Sequence, residues 1–334
     1  MRTLRIAWLG VSVLLLVPAG AHAQLRWDAR EQAWSGAKKA QVSAEPGSPE
    51  AEYLDAVSMM EAGAFRPALR KLEALQAQHP QSLLREKILF RIAECRYHRK
   101  DYRGAYDKLR ELGFSTEHEF SKQAVELELS IADALLHGGK VKLLGFIRVS
   151  GKSTGEKILR DFIDRNPRGP YADDALFLLA RFYLDNRRYD DAATNFAFLA
   201  STFPRSDYAQ ESEYLESRSR FLSCRGPQYD TQPLREARDG YRIFLQKYPQ
   251  SELAEEIQKD LCAVENMLAE KLWLVAEFYR RDRQGPSAAV YYRAIMTEFP
   301  QSPRAAQAEK RLTRMPSPPI TEEQKEDAGA NAQE

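Results

Sequence analysis

Along most of the chain, apolar residues recur every three to four positions, and short polar breaks carrying a proline interrupt the pattern. Five breaks share one shape: HPQS at 79–82, NPRG at 166–169, FPRS at 203–206, YPQS at 248–251 and FPQS at 299–302. Twelve residues before each proline stands a small residue: Ala68, Gly155, Ala192, Ala237 and Ala288. Four positions on come Leu72, Leu159, Phe196, Tyr241 and Tyr292. Seven positions on come Leu75, Phe162, Leu199, Phe244 and Ile295. Such spacing places the three sets on one face of an α-helix. The small residue admits a neighbouring helix, and the large ones fill the space one and two turns later. Proline cannot continue a helix and drives its predecessor out of the α region, so each helix is predicted to end there. The serine that follows is predicted to cap the next helix. Ser302-Pro303 reads as N-cap and first helical residue, and Asp173 and Asp174 suit the positive end of a helix dipole.

The preceding segments carry a second stripe. Leu176, Leu179, Ala180 and Tyr183 recur as Leu272, Val275, Ala276 and Tyr279. Residues 173–204 match the tetratricopeptide pattern almost throughout, with Tyr189 at the turn between the helices, and 269–300 match nearly as well. Residues 49–80 match in their second helix, 86–112 form a degenerate copy, and 121–167 and 208–249 are stretched copies. The predicted fold is all-α: a right-handed solenoid of five to six tetratricopeptide-like helical hairpins, each completing its core on its neighbours. From Pro167 onward the proline landmarks lie 37, 45 and 51 residues apart. Each interval exceeds the motif's usual period of about 34, so helices or turns are extended. No run of alternating strands stands out. The expected organisation is an N-terminal segment and linker at 24–50, N-terminal repeats at 51–167, C-terminal repeats with a terminal helix at 168–314, and a disordered polar tail at 315–334.

Residues 1–23 read as a secretory signal: Arg2 and Arg5, an apolar run from Ile6 to Val17, and Ala21-His22-Ala23 before Gln24. No cysteine precedes Cys95, so no residue after the apolar run can take a lipid, and the exported chain is expected in the periplasm without lipidation. Balanced charge, with 49 Lys+Arg against 48 Asp+Glu, argues against a nucleic-acid binder running on bulk positive charge. Cys95, Cys224 and Cys262 are too few for a disulfide framework and read as small packed residues, although export permits one bridge. Cys95-x-x-His98 supplies two metal ligands, which do not make a site.

No catalytic constellation is present in the sequence. HExxH, GxSxG and paired cysteines at metal spacing are missing, and no cofactor or metal is expected. Gly151-Lys152-Ser153 resembles the end of a phosphate-binding loop but lacks its spacing and a preceding strand, and reads as a turn with Ser153 or Thr154 capping a helix. A noncatalytic role follows. The unusual stretch is 138–152, GGKVKLLGFIRVSGK, where Lys140, Lys142, Phe146, Arg148 and Lys152 make a basic-apolar loop between the helices of one repeat. It reads either as a contact to a partner or an anionic membrane surface, or as a connection packed back on the solenoid. Gly226-Pro227-Gln228-Tyr229-Asp230 is a second long turn.

Three stretches resemble the BamD (ComL/YfiO) family of outer-membrane assembly factors: residues 167–204, the GPQYD turn with the helix ending in YP at 226–249, and AEKLWLVAEFYRRDRQGPSAAVYYRAIMTEFP at 269–300. The resemblance implies a periplasmic scaffold of tetratricopeptide repeats. In the family, C-terminal repeats dock the barrel-forming subunit and N-terminal repeats contact unfolded outer-membrane proteins. By region, residues 50–167 would face clients and 208–312 the machine. Family members are normally lipid-anchored through a cysteine after the signal, which this chain lacks. Another envelope adaptor, working with Tol-Pal or peptidoglycan, is the alternative reading.

Overall fold

The structure is a computed structural model and describes residues 26–28, 33–35, 47–113, 120–143 and 147–315, with the backbone alone at 26–28, 33–35, 142 and 143. The signal at 1–23 and all but the first residue of the expected tail lie outside the described residues. Thirteen helices follow one another among those described. They pair as α1 (Pro49–Glu61) with α2 (Phe65–Gln78), α3 (Arg85–His98) with α4 (Tyr102–Leu112), and α5 (Ser121–Leu136) with α6 (Lys152–Arg165). Next come α7 (Ala172–Asp185) with α8 (Tyr189–Thr202), α9 (Ala209–Ser223) with α10 (Gln232–Lys247), and α11 (Ala254–Arg281) with α12 (Gly285–Glu298), closed by α13 (Pro303–Leu312). Each helix packs on the next, as an all-α solenoid of hairpins requires.

The proline register is the packing register. The three predicted sets in the second helices are all buried. Each of those helices ends on the residue before its proline, at His79, Asn166, Phe203, Tyr248 and Phe299. The five share φ between −122° and −138° and ψ between 55° and 64°, outside the α region that a following proline disfavours. The core divides at α3. Ile88, Ile92 and Cys95 face α1 and α2, while Leu89 and Ala93 face the main core.

Four hairpins turn in the same way. Gly63, Lys100, Arg187 and Arg283 adopt left-handed backbone with φ of 75°, 59°, 59° and 61°. In each, the next residue donates its N–H to a carbonyl of the helix just ended, at 2.8–2.9 Å, satisfying an otherwise free acceptor. Only the first of these turns uses glycine.

The structure departs from the sequence reading in several places. Ser302 caps α13 by accepting from the Arg304 N–H at 3.3 Å, as predicted. Ser82, Ser206 and Ser251 do not cap a helix. Each accepts from the N–H two residues on, at 3.1–3.2 Å, and an extra turn intervenes before the helix starts. Ser153 and Thr154 lie inside α6, whose N-cap Gly151 has no side chain to offer. Cys95 is buried and its thiol pushed up to about 12 by burial, but Cys262 is exposed rather than packed, and all three cysteines are free. Strands also occur. β1 (Arg26–Asp28) pairs antiparallel with β2 (Ala33–Ser35), in the N-terminal segment ahead of the linker. β3 (Lys140–Leu143) pairs antiparallel with β4 (Ile147–Ser150) inside the third hairpin.

The long interval before Pro300 is taken up by α11, 28 residues long. Ile257, Leu261, Val264 and Leu268 extend its buried stripe, and α10, α12 and α13 pack along it. Its second half is rotated from the predicted stripe: Trp273, Ala276 and Glu277 are buried, while Leu272, Val275 and Tyr279 are half-buried. Glu277 accepts from the Tyr292 hydroxyl at 2.6 Å, from Arg280 at 2.7 Å and from Arg311 of α13 at 3.2 Å. Burial opposes its charge, but these donors and the two guanidinium charges hold Glu277 below the usual carboxylate range. A depressed carboxylate stabilises the fold above its unfolded pKa and loses that contribution as pH falls through the folded value. Both arginines are more than a third exposed, so Glu277→Gln is expected to cost only about 1 kcal/mol at neutral pH. Urea midpoints of the two proteins should converge as pH falls below the usual carboxylate range; a gap that persists in acid would refute the ion-pair origin.

Candidate protein-binding surfaces

The first helices of the last three hairpins line a groove of about 520 Å³. α7 contributes Arg181 and Leu184, α9 contributes Glu211, Tyr214, Arg218 and Leu222, and the start of α11 contributes Leu253 and Glu256. These charges are paired across helices: Arg181 with Glu211 at 3.4 Å, and Arg218 with Glu256. Arg218 also bonds the Tyr214 hydroxyl and lies 3.7 Å from Asp260. Below them the hydroxyls of Tyr214 and Tyr241 both donate to Asp260, at 3.4 and 3.2 Å. Burial and the Asp260 charge push both phenols far up, so they stay protonated donors. The groove therefore offers leucine edges and hydrogen-bonding groups on a floor braced by Asp260.

A second surface lies further along α11. Leu274 and Phe278 stand one turn apart and are 42% and 63% exposed. Tyr229 of the GPQYD turn is also exposed, and its carbonyl accepts from Lys271 on the same helix at 3.3 Å. Exposed apolar residues in one stretch mark interaction surfaces more often than isolated ones do.

The basic-apolar loop is the β3–β4 hairpin. Its ladder pairs Lys140 with Ser150, Val141 with Val149, Lys142 with Arg148 and Leu143 with Ile147. The sequence carries the signal for it: Lys140 and Lys142 alternate with Val141 and Leu143, and Arg148 and Ser150 with Ile147 and Val149, the period of a strand. Val141 is buried against the solenoid, whereas Lys140, Arg148 and Lys152 are exposed. Lys152 reaches Asn186 of the next hairpin at 3.2 Å. Phe146 and the Lys142 side chain lie outside the described residues. The hairpin joins Lys140 and Arg148 to Arg99, Lys100 and Arg103 of the α3–α4 turn around one cleft. No local sequence pattern links those two segments. His98, next to Cys95 in the suspected ligand pair, stacks on Phe65 with ring centroids 4.2 Å apart. Among the described residues no three His, Cys, Asp or Glu side chains are placed to hold a metal ion. No described helix is long and apolar enough to cross a membrane.

The groove, the exposed stripe and the GPQYD turn all fall within the stretch that matches a known family. The family described as outer membrane lipoprotein, YfiO, matches residues 151–323, more than half of the chain and all of α6 to α13. The chain belongs to the YfiO family. A relative within reach of sequence comparison is the outer membrane protein assembly factor BamD of Xylella fastidiosa (strain Temecula1 / ATCC 700964), 25% identical over 158 residues. That alignment covers 44% of this chain and 54% of the relative, so the chain spans about half the length of the curated relative it matches. Among solved structures, a tetratricopeptide repeat protein of Parabacteroides merdae ATCC 43184 aligns over 78% of this chain and 97% of its own, at 11% identity and a TM-score of 0.38. The C-terminal part of a tetratricopeptide repeat protein of Cytophaga hutchinsonii aligns over 77% and 98%, at 14% identity and a TM-score of 0.26. At those TM-scores nothing about the curvature of this solenoid follows from either. Family membership agrees with the resemblance carried by residues 167–204, 226–249 and 269–300.

Proposed function

We propose that the protein is a noncovalent scaffold of the cell envelope that assists the assembly of outer-membrane β-barrel proteins. The observation that supports this reading is the family match over α6–α13, together with a relative named as an assembly factor. In this reading the C-terminal repeats dock the barrel-forming subunit through the exposed stripe of α11, and the N-terminal repeats face unfolded clients. The groove between α7, α9 and α11 holds an extended segment by exchanging its own ion pairs for bonds to the guest. The work is binding and positioning, with no covalent step. Export through the signal at 1–23 places the chain in the periplasm, and a contact other than a lipid anchor holds it near the outer membrane.

Leu274→Lys combined with Phe278→Lys tests the docking face. Both side chains are exposed and neither belongs to the buried core, so each change is expected to alter stability by no more than about 0.5 kcal/mol. Cation placement near the end of α11 also suits the helix dipole. The double variant is expected to lose co-purification with the barrel-forming subunit from crosslinked envelopes, and its cells to show reduced outer-membrane protein levels. Undiminished co-purification would remove the stripe from the interface. Capture of Tol-Pal or peptidoglycan-associated partners in place of the barrel subunit would replace the assembly reading with that of another envelope adaptor.

A further inference from the structure

Five cations meet at one rim of the third hairpin. Arg99, Lys100 and Arg103 from the α3–α4 turn and Lys140 and Arg148 from the β-hairpin line a cleft of about 650 Å³. All five are exposed. Asp101 is the carboxylate among the lining residues, and the lining His137 holds its Nδ1 2.9 Å from Asp133. Among the described residues none of the five forms an ion pair, although neighbouring cations do: Arg96 with Glu73 at 2.7 Å, Lys108 with Glu111 at 2.8 Å and Arg188 with Glu156 at 2.9 Å.

The local structure works against one of these charges. Arg103 lies in the first turn of α4, where the helix dipole disfavours a cation, and the acidic residue at that helix end is the N-cap Asp101. Mutually repelling cations without ion pairs, gathered at one rim of a chain of formal net charge +1, are a binding feature rather than a structural one.

We propose that this cleft docks on an anionic phospholipid surface. A single phosphate or a peptide carboxylate would call for converging, partly buried donors. Here the donors are long side chains spread along an exposed rim, and Ile147, on the opposite face of β4 where the strand begins, is also exposed. That combination suits a headgroup layer, which presents many phosphates at once and accepts an apolar side chain beneath them.

Flotation of the full-length protein with phosphatidylcholine vesicles, with and without phosphatidylglycerol, tests this. The expected result is binding that requires phosphatidylglycerol and weakens as salt is raised. Arg103→Gln with Arg148→Gln is expected to lower the partition coefficient about 30-fold. Removing a cation from the first turn of α4 does not threaten the fold. A control pair, Arg242→Gln with Lys259→Gln, removes the same charge from exposed positions elsewhere and should leave binding unchanged. Three outcomes overturn the proposal: an equal loss in the control pair, no binding to the anionic vesicles, or binding of an acidic peptide or inorganic phosphate by a protein that ignores vesicles. The vesicles contain no assembly partner, so failure here leaves the docking face on α11 untouched.

Discussion

Tyr241→Ala is expected to remove about 3–5 kcal/mol of stability, the range for truncating a fully buried aromatic ring. Tyr241 is completely buried in α10. Its ring packs 6.2 Å from that of Tyr214 on α9, and its hydroxyl donates to Asp260 on α11. One side chain therefore joins three successive helices. Tyr241→Phe separates the ring from the hydroxyl. Asp260 keeps the Tyr214 hydroxyl and the nearby Arg218, so the phenylalanine variant should lose only about 1 kcal/mol. In a solenoid the loss should also be local, because each unit contacts only its neighbours. Hydrogen exchange is expected to accelerate first in α9, α10 and the first half of α11, with α1–α4 little changed. A loss below about 1.5 kcal/mol, or a uniform rise in exchange along the chain, would show that Tyr241 is not the joint of its repeat.

How much of this was legible in the sequence depends on whether the cause was local. The positions that follow each proline register were legible because one rule, the 3.6-residue period ended by proline, generates them all. Ser82, Ser206 and Ser251 were misread because a serine side chain serves an ST-turn as readily as an N-cap, and the choice is made by the extra turn before the next helix. The stripe at Leu272 and Tyr279 shifted because α11 continues back to Ala254, so the angle of its second half is set by packing along four further helices. The β-hairpin was encoded in the alternation of Lys140 to Leu143, but a four-residue strand is too short to stand out among helices. Of the cations around the cleft, Lys140 and Arg148 belong to the loop singled out in the sequence. Their companions Arg99, Lys100 and Arg103 come from another hairpin, and only the stacking of repeats brings them to the same cleft. The groove of α7, α9 and α11 was invisible for the same reason: its ion pairs join residues 30 and 38 positions apart.

Gly155 shows where the repeat rule itself is overruled, and it supports the second large effect. The equivalent positions in the other four registers hold Ala68, Ala192, Ala237 and Ala288, all fully buried. A repeat average would therefore place alanine here, and helix propensity agrees by about 1 kcal/mol. Packing disagrees. A Cβ at Gly155 would stand 2.9 Å from the Ala132 carbonyl oxygen, 3.0 Å from Leu136 Cδ2 and 3.1 Å from Leu135 Cβ. The first of these is α5 backbone, which cannot swing aside as a side chain can. Gly151 is as tight, with a Cβ there falling 2.8 Å from the Gly139 carbonyl oxygen at the base of the hairpin. α5 and α6 thus leave no room for a Cβ at this register, and β3 and β4 connect their ends. Gly155→Ala is expected to lose about 1 kcal/mol despite its better propensity, and Gly155→Val about 3 kcal/mol, because overpacking forces the helices apart. The same displacement should carry the hairpin away from the α3–α4 turn and weaken the basic cleft even where the protein remains folded. Urea unfolding of the two variants beside Ala192→Gly checks the argument: the alanine substitution should destabilise at 155, and its removal should destabilise at 192. A stabilised Gly155→Ala would mean that α5 and α6 yield at no cost, and the close approach would lose its place in positioning the hairpin.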